Sequence, residues 1–322
     1  MSIESNKELY RKLCETEGST IPLFLQYWWM DTVCADKQWD VFLAYDSDGS
    51  IAGALPFLLG SKLGLHYIVQ PQLTQFNGPW LRPCDDLPYR LQLQRRQEIC
   101  LQLISQLQTL GVSYYNQNCP PSFSDWLPFH WNGFSQSTRY TYVYPDISDT
   151  AALLDRMSQS ERHRKIERVL STCVSTDEVS PSLFAKMHND YCQRKGSYDL
   201  IPAALIERVC STALANGHGL IAGLKDSESG QLLGAAFAVF DDRWGHYLMH
   251  ATTGDDRSGL GKSLIWNLVV QLSGKTASFN FEGSMDRGLE YFYRSFGAEQ
   301  VQYFNISKTF NPLFGLLLKM RR

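Results

Sequence analysis

The feature that most constrains the fold of this chain is that its sequence repeats itself. Three pairs of segments recur in the same order along the 322 residues. In the first pair, residues 39–57 and 218–240, an apolar run is followed by an acidic Ser/Gly turn and a second apolar run that contains a glycine. This is the pattern of a β-hairpin. Repetition at such a long spacing predicts two copies of one structural unit.

The other two pairs extend the repeat. Residues 95–118 and 261–284 each show apolar residues at three- and four-residue spacing and then a glycine, which predicts a helix followed by a strand. Residues 129–145 and 292–307 each lead from a Phe/Gly break into a terminal strand. We therefore predict a mixed α/β (α+β) protein with two tandem domains. Each domain would be a mixed, mostly antiparallel sheet flanked by helices.

The two copies join near Pro145. There an Asp/Ser-rich turn ends the first copy, and a long helical pattern opens the second. This predicts an N-terminal domain of residues 1–148 and a C-terminal domain of residues 149–322.

Composition limits the possible functions. A hydrophobic content of 44% supports a sizeable core, and a net charge of -3 argues against a general nucleic-acid binder, so we predict no DNA partner. The eight cysteines are scattered without a C-x-x-C pair, which favours reduced thiols over disulfides or a zinc site. His246 and His250 lie four apart in a strand pattern, without helical ligand spacing, so no metal is predicted.

Neither end of the sequence has the pattern of a membrane-spanning or secreted protein. The first residues are polar and helical in pattern, without the apolar segment of a signal peptide, which predicts a cytoplasmic protein. The last residues, FNPLFGLLLKMRR (310–322), join an apolar run to a basic end. They could lie peripherally on a membrane surface or pack onto their own domain.

Three stretches in order resemble a known family: SERHRKIERV (160–169), HYLMHATTGDDRSGLGKSLIWNLV (246–269) and FNFEGSMDRGLEYFYRSFGA (279–298). Their succession of hairpin, strand, glycine turn, helix, strand, tyrosine helix and Phe-Gly break resembles the GNAT acyltransferase fold. Two such units in tandem resemble the FemABX-like branch, which includes peptidoglycan aminoacyltransferases. The resemblance implies an acyltransferase whose C-terminal domain carries the donor site.

The turn DDRSGLGKSL (255–264) is the predicted donor site. Two glycines before a helix let backbone N–H groups approach an anion, and the helix dipole favours negative charge there. The resemblance implies that this loop, with Arg257, Ser258, Gly259, Gly261 and Lys262, binds the pyrophosphate of acyl-CoA or acetyl-CoA. The family's first loop position, however, is Asp256 here, whose negative charge does not suit a phosphate. FemABX-like proteins that use aminoacyl-tRNA also diverge at this position, so aminoacyl-tRNA stays an alternative donor. A simple helix-capping turn is the other interpretation.

Proton transfer is assigned to Glu282 and Tyr293. Glu282 follows a strand end, where a carboxylate could accept a proton from an incoming ammonium. Tyr293 stands four residues before Gly297, and the resemblance implies a general-acid role for it. Ser284 could bind substrate or cap the next helix. The alternatives are that Glu282 is an ordinary ion-pair partner and that the tyrosine packs in the core.

Acceptor binding is assigned to the helical stretch SERHRKIERVL, where Arg164 and Arg168 lie four apart and could hold an anion in a cleft between the domains. The alternative is a solvated helix with a Glu161–Lys165 pair. Tyr198, in a Gly/Pro-punctuated loop, is a further substrate-binding candidate.

Weaker candidates lie in the same loop and in the first copy. Arg194 and Lys195 share the loop of Tyr198, and Asn77, Trp80 and Arg82 lie in a first-copy loop that could also be an ordinary turn.

The sequence as a whole predicts an N-acyltransferase that moves an acyl or aminoacyl group from a thioester or ester donor, acyl-CoA being favoured, to an amine. The acceptor would be a small molecule or a cell-wall precursor. Two alternatives stay open. One is an aminoacyl-tRNA-dependent transferase acting on a peptidoglycan precursor, although tRNA is not favoured for an acidic chain. The other is an inactive GNAT-like module that binds a cell-envelope precursor.

Overall fold

The computed structural model describes residues 5–196, 201–254, 259–283 and 285–319, with the backbone alone for 317–319. Its α-helices are α1 (Asn6–Glu17), α2 (Tyr27–Val33), α3 (Tyr89–Thr109), α4 (Leu127–Trp131), α5 (Thr150–Asp155), α6 (Gln159–Glu161), α7 (Arg168–Leu170), α8 (Pro181–Arg194), α9 (Ala203–Ala215), α10 (Leu260–Leu272), α11 (Arg287–Arg294) and α12 (Pro312–Lys319). A π-helical stretch, Arg162–Glu167, joins α6 to α7, and 3₁₀ turns lie at Gly18–Thr20 and Leu23–Leu25.

The strands follow the predicted order of hairpins and single strands. They are β1 (Gln38–Tyr45), β2 (Ile51–Lys62), β3 (Leu65–Val69), β4 (Trp80–Leu81), β5 (Tyr114–Asn118), β6 (Ser135–Tyr144), β7 (Cys173–Thr176), β8 (Gly219–Asp226), β9 (Leu232–Phe240), β10 (Trp244–Thr252), β11 (Ser278–Asn280) and β12 (Glu299–Thr309).

The chain forms two compact units that are not simply its two halves. Unit 1 is Met1–Arg139 with Gln302–Arg322, and unit 2 is Tyr140–Val301. These bounds differ from the predicted domains 1–148 and 149–322, because the terminal strands of the two repeats are exchanged. In unit 1, β5 pairs with the last strand of the chain, β12. In unit 2, β11 pairs with β6, the last strand of the first repeat.

The sheet of unit 1 has the order β1-β2-β3-β5-β12, and β4 pairs with β2. Its ladders are antiparallel except for β3 and β5, which are parallel. The long helix α3 packs on β1 and β2. Side chains of α3, including Leu103 and Leu107, join Leu55, Tyr115 and Phe129 in one buried cluster. Burial of this apolar surface is the main driving force for the unit.

The sheet of unit 2 has the order β6-β11-β10-β9-β8-β7. It too is antiparallel apart from one parallel pair, β10 and β11. Helix α10 packs on β8, β9 and β10, while α8 contacts β10 and α9 contacts β8. The core includes Leu264, Leu268, Phe279, Phe281 and Phe296, which are fully buried. The predicted fold class, mixed and mostly antiparallel sheets flanked by helices, is confirmed.

Local chemistry explains several element ends. Helix α1 begins with a capping box in which the Ser5 hydroxyl accepts from the Glu8 N–H and the Glu8 carboxylate accepts from the Ser5 N–H. The turns of the β1–β2 and β8–β9 hairpins hold Gly49 at φ +85° and Gly230 at φ +70°. Glycine adopts this left-handed conformation without the Cβ clash of other residues. Both predicted hairpins are therefore present.

The C-terminal helix α12 packs partly on the rest of unit 1. The ring of Phe314 is buried against those of Tyr67 and Tyr114, at centroid distances of 5.4 and 5.7 Å. Leu313 and Leu316 are exposed. Among the described residues, no helix combines the length and apolar character that crossing a bilayer requires.

Candidate active site

The two glycines of the predicted donor loop are needed for close packing at the start of α10. Gly259 has φ +96°, and a Cβ there would lie 2.3 Å from the carbonyl oxygen of Lys165. A Cβ on Gly261 would lie 2.8 Å from Nε2 of His250. The hydroxyl of Ser263 donates to the Lys165 carbonyl at 2.8 Å. The π-helical stretch between α6 and α7, which contains Lys165, and strand β10, which contains His250, therefore both approach the N-terminus of α10.

The remaining residues predicted for this loop divide into two groups. Arg257 and Ser258, like Asp256, lie outside the described residues. Lys262 is buried, and its ammonium donates to the Glu161 carboxylate and to the Ser295 hydroxyl. Lys165 donates to the other oxygen of Glu161 at 2.8 Å. The predicted Glu161–Lys165 pair is thus present, within a larger cluster.

This Lys-Glu-Lys cluster carries one positive charge in excess of its carboxylate. Burial acts to raise the pKa of Glu161, but hydrogen bonds from Lys165 and Lys262 outweigh it and hold that pKa below its usual range. Burial lowers the pKa of Lys262, and Glu161 opposes that effect. With Glu161 ionised and both amines protonated, one ammonium charge is uncompensated within the cluster.

The predicted anion-binding arginines face solvent. Arg164 and Arg168 are exposed, and the guanidinium of neither forms a hydrogen bond or ion pair with any residue that the structure describes. The helix there contains the π-helical stretch Arg162–Glu167. Such stretches shift side chains around the helix axis and are frequent at functional sites. Here it is the intervening Lys165, rather than either arginine, that lines a cavity.

A bulge in β10 brings Tyr247 and His250 together. The pairing of β10 with β9 shifts register between Tyr247 and Met249. Residues three apart would otherwise point to opposite faces of a strand. The Tyr247 hydroxyl instead lies 2.6 Å from Nδ1 of His250, and the Tyr191 hydroxyl lies 3.5 Å from its Nε2. Burial raises the pKa of Tyr247 well above its usual value, so this phenol stays protonated.

His250 opens onto a cavity of about 500 Å³ within unit 2. The cavity is bounded by the start of α10 at Gly259, Gly261 and Lys262, by Lys165 and Tyr191, and by one face of α11. Its volume is in the range of pockets that enclose a small-molecule ligand. An imidazole, a phenol and two ammonium groups therefore line one partly open cavity.

Glu282 lies where the parallel strands β10 and β11 separate. Its Oε1 is 3.0 Å from Nδ1 of His246. Burial raises the pKa of Glu282 well above its usual value and lowers the pKa of His246 to about 4, against an opposing effect of Asp241. The imidazole of His246 is therefore neutral at neutral pH, and the carboxyl is a weaker acid than an exposed glutamate.

The backbone at Glu282 is held in a conformation that is unusual for a residue with a side chain. Its φ is +57°, and its N–H donates to Oδ1 of Asn280 at 2.9 Å. The next N–H, of Gly283, donates to the Thr141 hydroxyl at 2.9 Å. A Cβ on Gly283 would lie 2.3 Å from the Tyr140 carbonyl oxygen, so only glycine fits. Left-handed non-glycine residues concentrate at functional sites. The adjacent Ser284 lies outside the described residues.

Tyr293 is a core residue of α11. It is only 8% exposed, and its ring lies 6.4 Å from that of Tyr247 and 6.2 Å from that of Phe281. Burial and the nearby Glu282 carboxyl both raise its pKa. Within the described part of the chain its hydroxyl has no hydrogen-bond partner. Glu282 and Tyr293 are thus brought near each other, but neither lines the described wall of the cavity.

The other predicted candidates make structural contacts or cannot be placed. Tyr198 lies outside the described residues. Arg194 donates to the backbone oxygen of Thr252. In unit 1, Asn77 is buried and its Oδ1 accepts from Gln117 at 2.7 Å. The Trp80 side chain donates a hydrogen bond to the Thr20 carbonyl, and the Arg82 side chain donates one to the Ile51 carbonyl.

Sequence reasoning missed His250, Tyr191 and the partnership of His246 with Glu282. The sequence signal for both histidines was their place in the strand before the glycine turn. That strand runs parallel to β11, so its side chains share a surface with Glu282. The sequence analysis assigned anion binding to Arg164 and Arg168 and not to Lys165, because residue spacing does not show which side of a helix faces the rest of the protein.

Comparisons with known proteins identify the fold. No family model matches the sequence, and no curated protein matches it. Among solved structures, FemX superposes with a TM-score of 0.69 at 12% identity, covering 98% of this chain and 98% of that chain. L-PGS from Bacillus licheniformis gives a TM-score of 0.60 at 14% identity over 99% and 98% of the two chains.

A third structure carries the tandem repeat in its name. A tandem GNAT protein from the clavulanic acid biosynthesis pathway gives a TM-score of 0.51 at 11% identity and covers 94% of each chain. At these identities the likeness concerns the fold alone. Together with the two repeated sheets it confirms the fold that the sequence resemblance implies: this chain has a tandem GNAT fold, which it shares with FemX.

Proposed function

We propose that this protein is an N-acyltransferase that moves an acyl or aminoacyl group from a thioester or ester donor to an amine. The observation that carries the proposal is the position of His250. Its imidazole lies next to two phenols at the wall of a partly open cavity, in a fold shared with GNAT-like transferases.

The chemistry requires a proton acceptor beside the donor's carbonyl carbon. The amine must lose its extra proton before its nitrogen attacks and forms the new N–C bond, and the C–S or C–O bond to the leaving group then breaks. In the tautomer where Nδ1 of His250 donates to the Tyr247 oxygen, Nε2 carries a lone pair and accepts that proton. That first proton passes on to solvent. The nitrogen loses a second proton as the N–C bond forms, and His250 accepts it and gives it, directly or through Tyr191, to the departing thiolate or alkoxide. The protein therefore ends unchanged, and one proton is released to solvent for each amide formed.

Acyl-CoA is the donor that we propose first. Lys165 and Lys262 give the cavity wall an excess of positive charge, which suits a phosphorylated donor. The first-turn N–H groups of α10 add a favourable dipole at the same end.

One observation favours a second candidate, transfer from an aminoacyl ester such as aminoacyl-tRNA. The carbonyl oxygen of Lys165 lies against Gly259 and accepts from Ser263. This oxygen presents negative partial charge where a pyrophosphate would approach the helix. A donor whose phosphates bind elsewhere avoids that contact.

The test is a matrix of donors and acceptors with the purified full chain. Acyl-CoA species and aminoacyl-tRNA are each incubated with amines, including peptidoglycan precursors, and the products are identified by mass spectrometry. We expect a product with the acyl or aminoacyl group on an amine nitrogen. This product should form only when donor and protein are both present.

The outcomes separate the alternatives. Transfer from tRNA alone selects the second candidate. Saturable binding of a cell-envelope precursor without turnover from any donor contradicts the enzyme and identifies a binding module.

A further inference from the structure

The cavity of unit 2 has one apolar wall. Helix α11 presents Gly288, Tyr291, Phe292 and Ser295 to it at three- and four-residue spacing, with Leu289 alongside. Tyr291 is 58% exposed and Leu289 is 48% exposed. The same helix buries Tyr293 in the core. The apolar side chains of α11 form one wide face that the core covers only in part, while Arg287, Glu290 and Arg294 occupy the other side.

Among the described residues, this wall is only partly covered, since Leu289 and Tyr291 stay exposed. A Cβ on Gly288 would approach only the Asp286 carboxylate of its own turn, at 3.2 Å. Unpacked large apolar side chains that line a concavity commonly mark a ligand surface. The wall is therefore suited to a flexible apolar group.

The facing wall is cationic. Lys165 and Lys262 share the single carboxylate of Glu161, which leaves one positive charge in excess. Both lysines line the cavity. Lys262 is buried and the Lys165 side chain is 37% exposed, so an anionic group that enters the cavity can pair with the charge that Glu161 does not neutralise. An apolar wall opposite a cationic one fits a ligand that has both characters.

We propose that this cavity takes an amphipathic substrate, with an alkyl or acyl chain on α11 and an anionic group at Lys165 and Lys262. The proposal deepens the N-acyltransferase function and rests on it for the role of that substrate. The chain belongs either to the acyl group of the donor or to a lipid-like acceptor, and the two share this chemistry. An acetyl group would leave most of the apolar wall uncovered.

The first experiment measures binding without reaction. Calorimetry on the full chain compares butyl phosphate, octyl phosphate and octanol. We expect octyl phosphate to bind most tightly, with the affinity rising about fourfold for each methylene that the wall covers. Octanol, which lacks the anion, should bind on the order of tenfold more weakly than octyl phosphate.

Matched variants assign the two walls. The double substitution Leu289→Ser with Tyr291→Ser should flatten the dependence on chain length and leave butyl phosphate binding unchanged. Leu214→Ser, on α9, changes an exposed leucine away from the cavity and should leave the dependence intact. Lys165→Gln should weaken octyl phosphate binding and leave octanol binding unchanged, whereas the exposed Lys275→Gln should change neither.

Competition identifies the source of the chain. Octanoyl-CoA and a lysophosphatidic acid with an eight-carbon chain are each used to displace octyl phosphate. Displacement by the first assigns the chain to the donor, and displacement by the second assigns it to the acceptor. Displacement by neither, or equal affinity for butyl and octyl phosphate, overturns the proposal. A transferase that acts equally on short and long chains would also overturn it while leaving the N-acyltransferase function in place.

Discussion

The two units share one frame but differ at the point where their parallel strands separate. In unit 1, β3 and β5 pair at Tyr67–Tyr114 and Ile68–Tyr115, and the loop beyond β3 then closes the gap. The Asn118 N–H donates to the Gln70 side chain at 2.9 Å, and the Asn77 N–H donates to the Asn118 carbonyl at 2.9 Å. Backbone groups and side-chain amides form hydrogen bonds with each other there, so the loop beyond β3 fills the gap between the strands.

Unit 2 places ionisable groups at the same point. Glu282 lies just beyond the end of the β10–β11 pairing, and its Oε1 is 3.0 Å from Nδ1 of His246. Both units therefore keep one parallel pair of strands, and in unit 2 a carboxyl and an imidazole meet where that pair ends.

The largest effect that we expect concerns His250. If chemistry belongs to unit 2 alone, His250→Gln should lower kcat/KM about 10²–10⁴-fold and remove the limb of the pH–rate profile at which the base becomes protonated. The measurement is steady-state kinetics with a donor that the transfer assay identifies as active. His66→Gln, an exposed histidine of β3 in unit 1, is the matched control and should behave as the unsubstituted protein. Equal loss in both variants would end the functional distinction between the units.

The next effect concerns the core beneath the two gaps. Phe281 directly follows β11 and Cys119 directly follows β5, and both are fully buried, but their side chains differ greatly in size. Phe281→Ala should lower the free energy of unfolding by about 3–5 kcal/mol, because it removes a packed aromatic ring and leaves a cavity. Cys119→Ala should cost much less. Urea unfolding of the full chain measures both, and similar losses would contradict the packing difference.

A smaller, pH-dependent effect concerns Glu282. Its pKa is raised in the folded state, so the native protein holds a proton that the unfolded chain releases, and stability falls as pH rises between the unfolded and folded pKa values. His246, with its pKa lowered to about 4, opposes this below its unfolded value near 6.5. Glu282→Gln should therefore stabilise the protein increasingly above pH 6.5, by up to about 1.4 kcal/mol per pH unit until the folded pKa is reached.

Thermal or urea unfolding at several pH values tests the Glu282 effect. Glu207→Gln, an exposed glutamate of α9, is the control and should show no such trend. If the stability of Glu282→Gln instead changes with pH in the same way as that of the unsubstituted protein from pH 6.5 to 9, burial does not disfavour the ionised form of Glu282.

The smallest effect concerns Arg164 and Arg168. Both are exposed and their guanidinium groups lack protein partners among the described residues, so alanine at either position should change the free energy of unfolding by less than about 0.5 kcal/mol. If they hold an anionic acceptor, as the sequence predicts, the acceptor KM should rise with kcat unchanged. Unchanged KM in the double variant would leave anion binding to Lys165 and Lys262.

The repeat was enough to predict the fold class, because hairpins and amphipathic helices follow from local periodicity and turn residues. Gly49 and Gly230 mark their turns directly. The exchange of terminal strands was not predictable, because β6 and β12 carry similar patterns and either can complete either sheet. Their choice depends on pairings such as Asn116 with Asn305, which are 189 positions apart.

The site was predicted only where local pattern and tertiary packing agree. Gly259 and Gly261 were identified from their spacing, but the atoms that require glycine belong to Lys165 and His250, which no local pattern links to them. His246 was considered only in relation to His250, whereas its partner Glu282 is 36 positions away. Long-range contacts of this kind decide which ionisable groups meet.

The exchanged strand β12 has a consequence for synthesis in the cell. Translation proceeds from the N-terminus, yet β5 in unit 1 gains its second neighbour only when residues 302–309 have left the ribosome. Until then one edge of β5 stays unpaired, which is a site for association with other chains. A fragment that ends at residue 148 would carry the same open edge permanently, so the two repeats cannot be separated by a single cut between them.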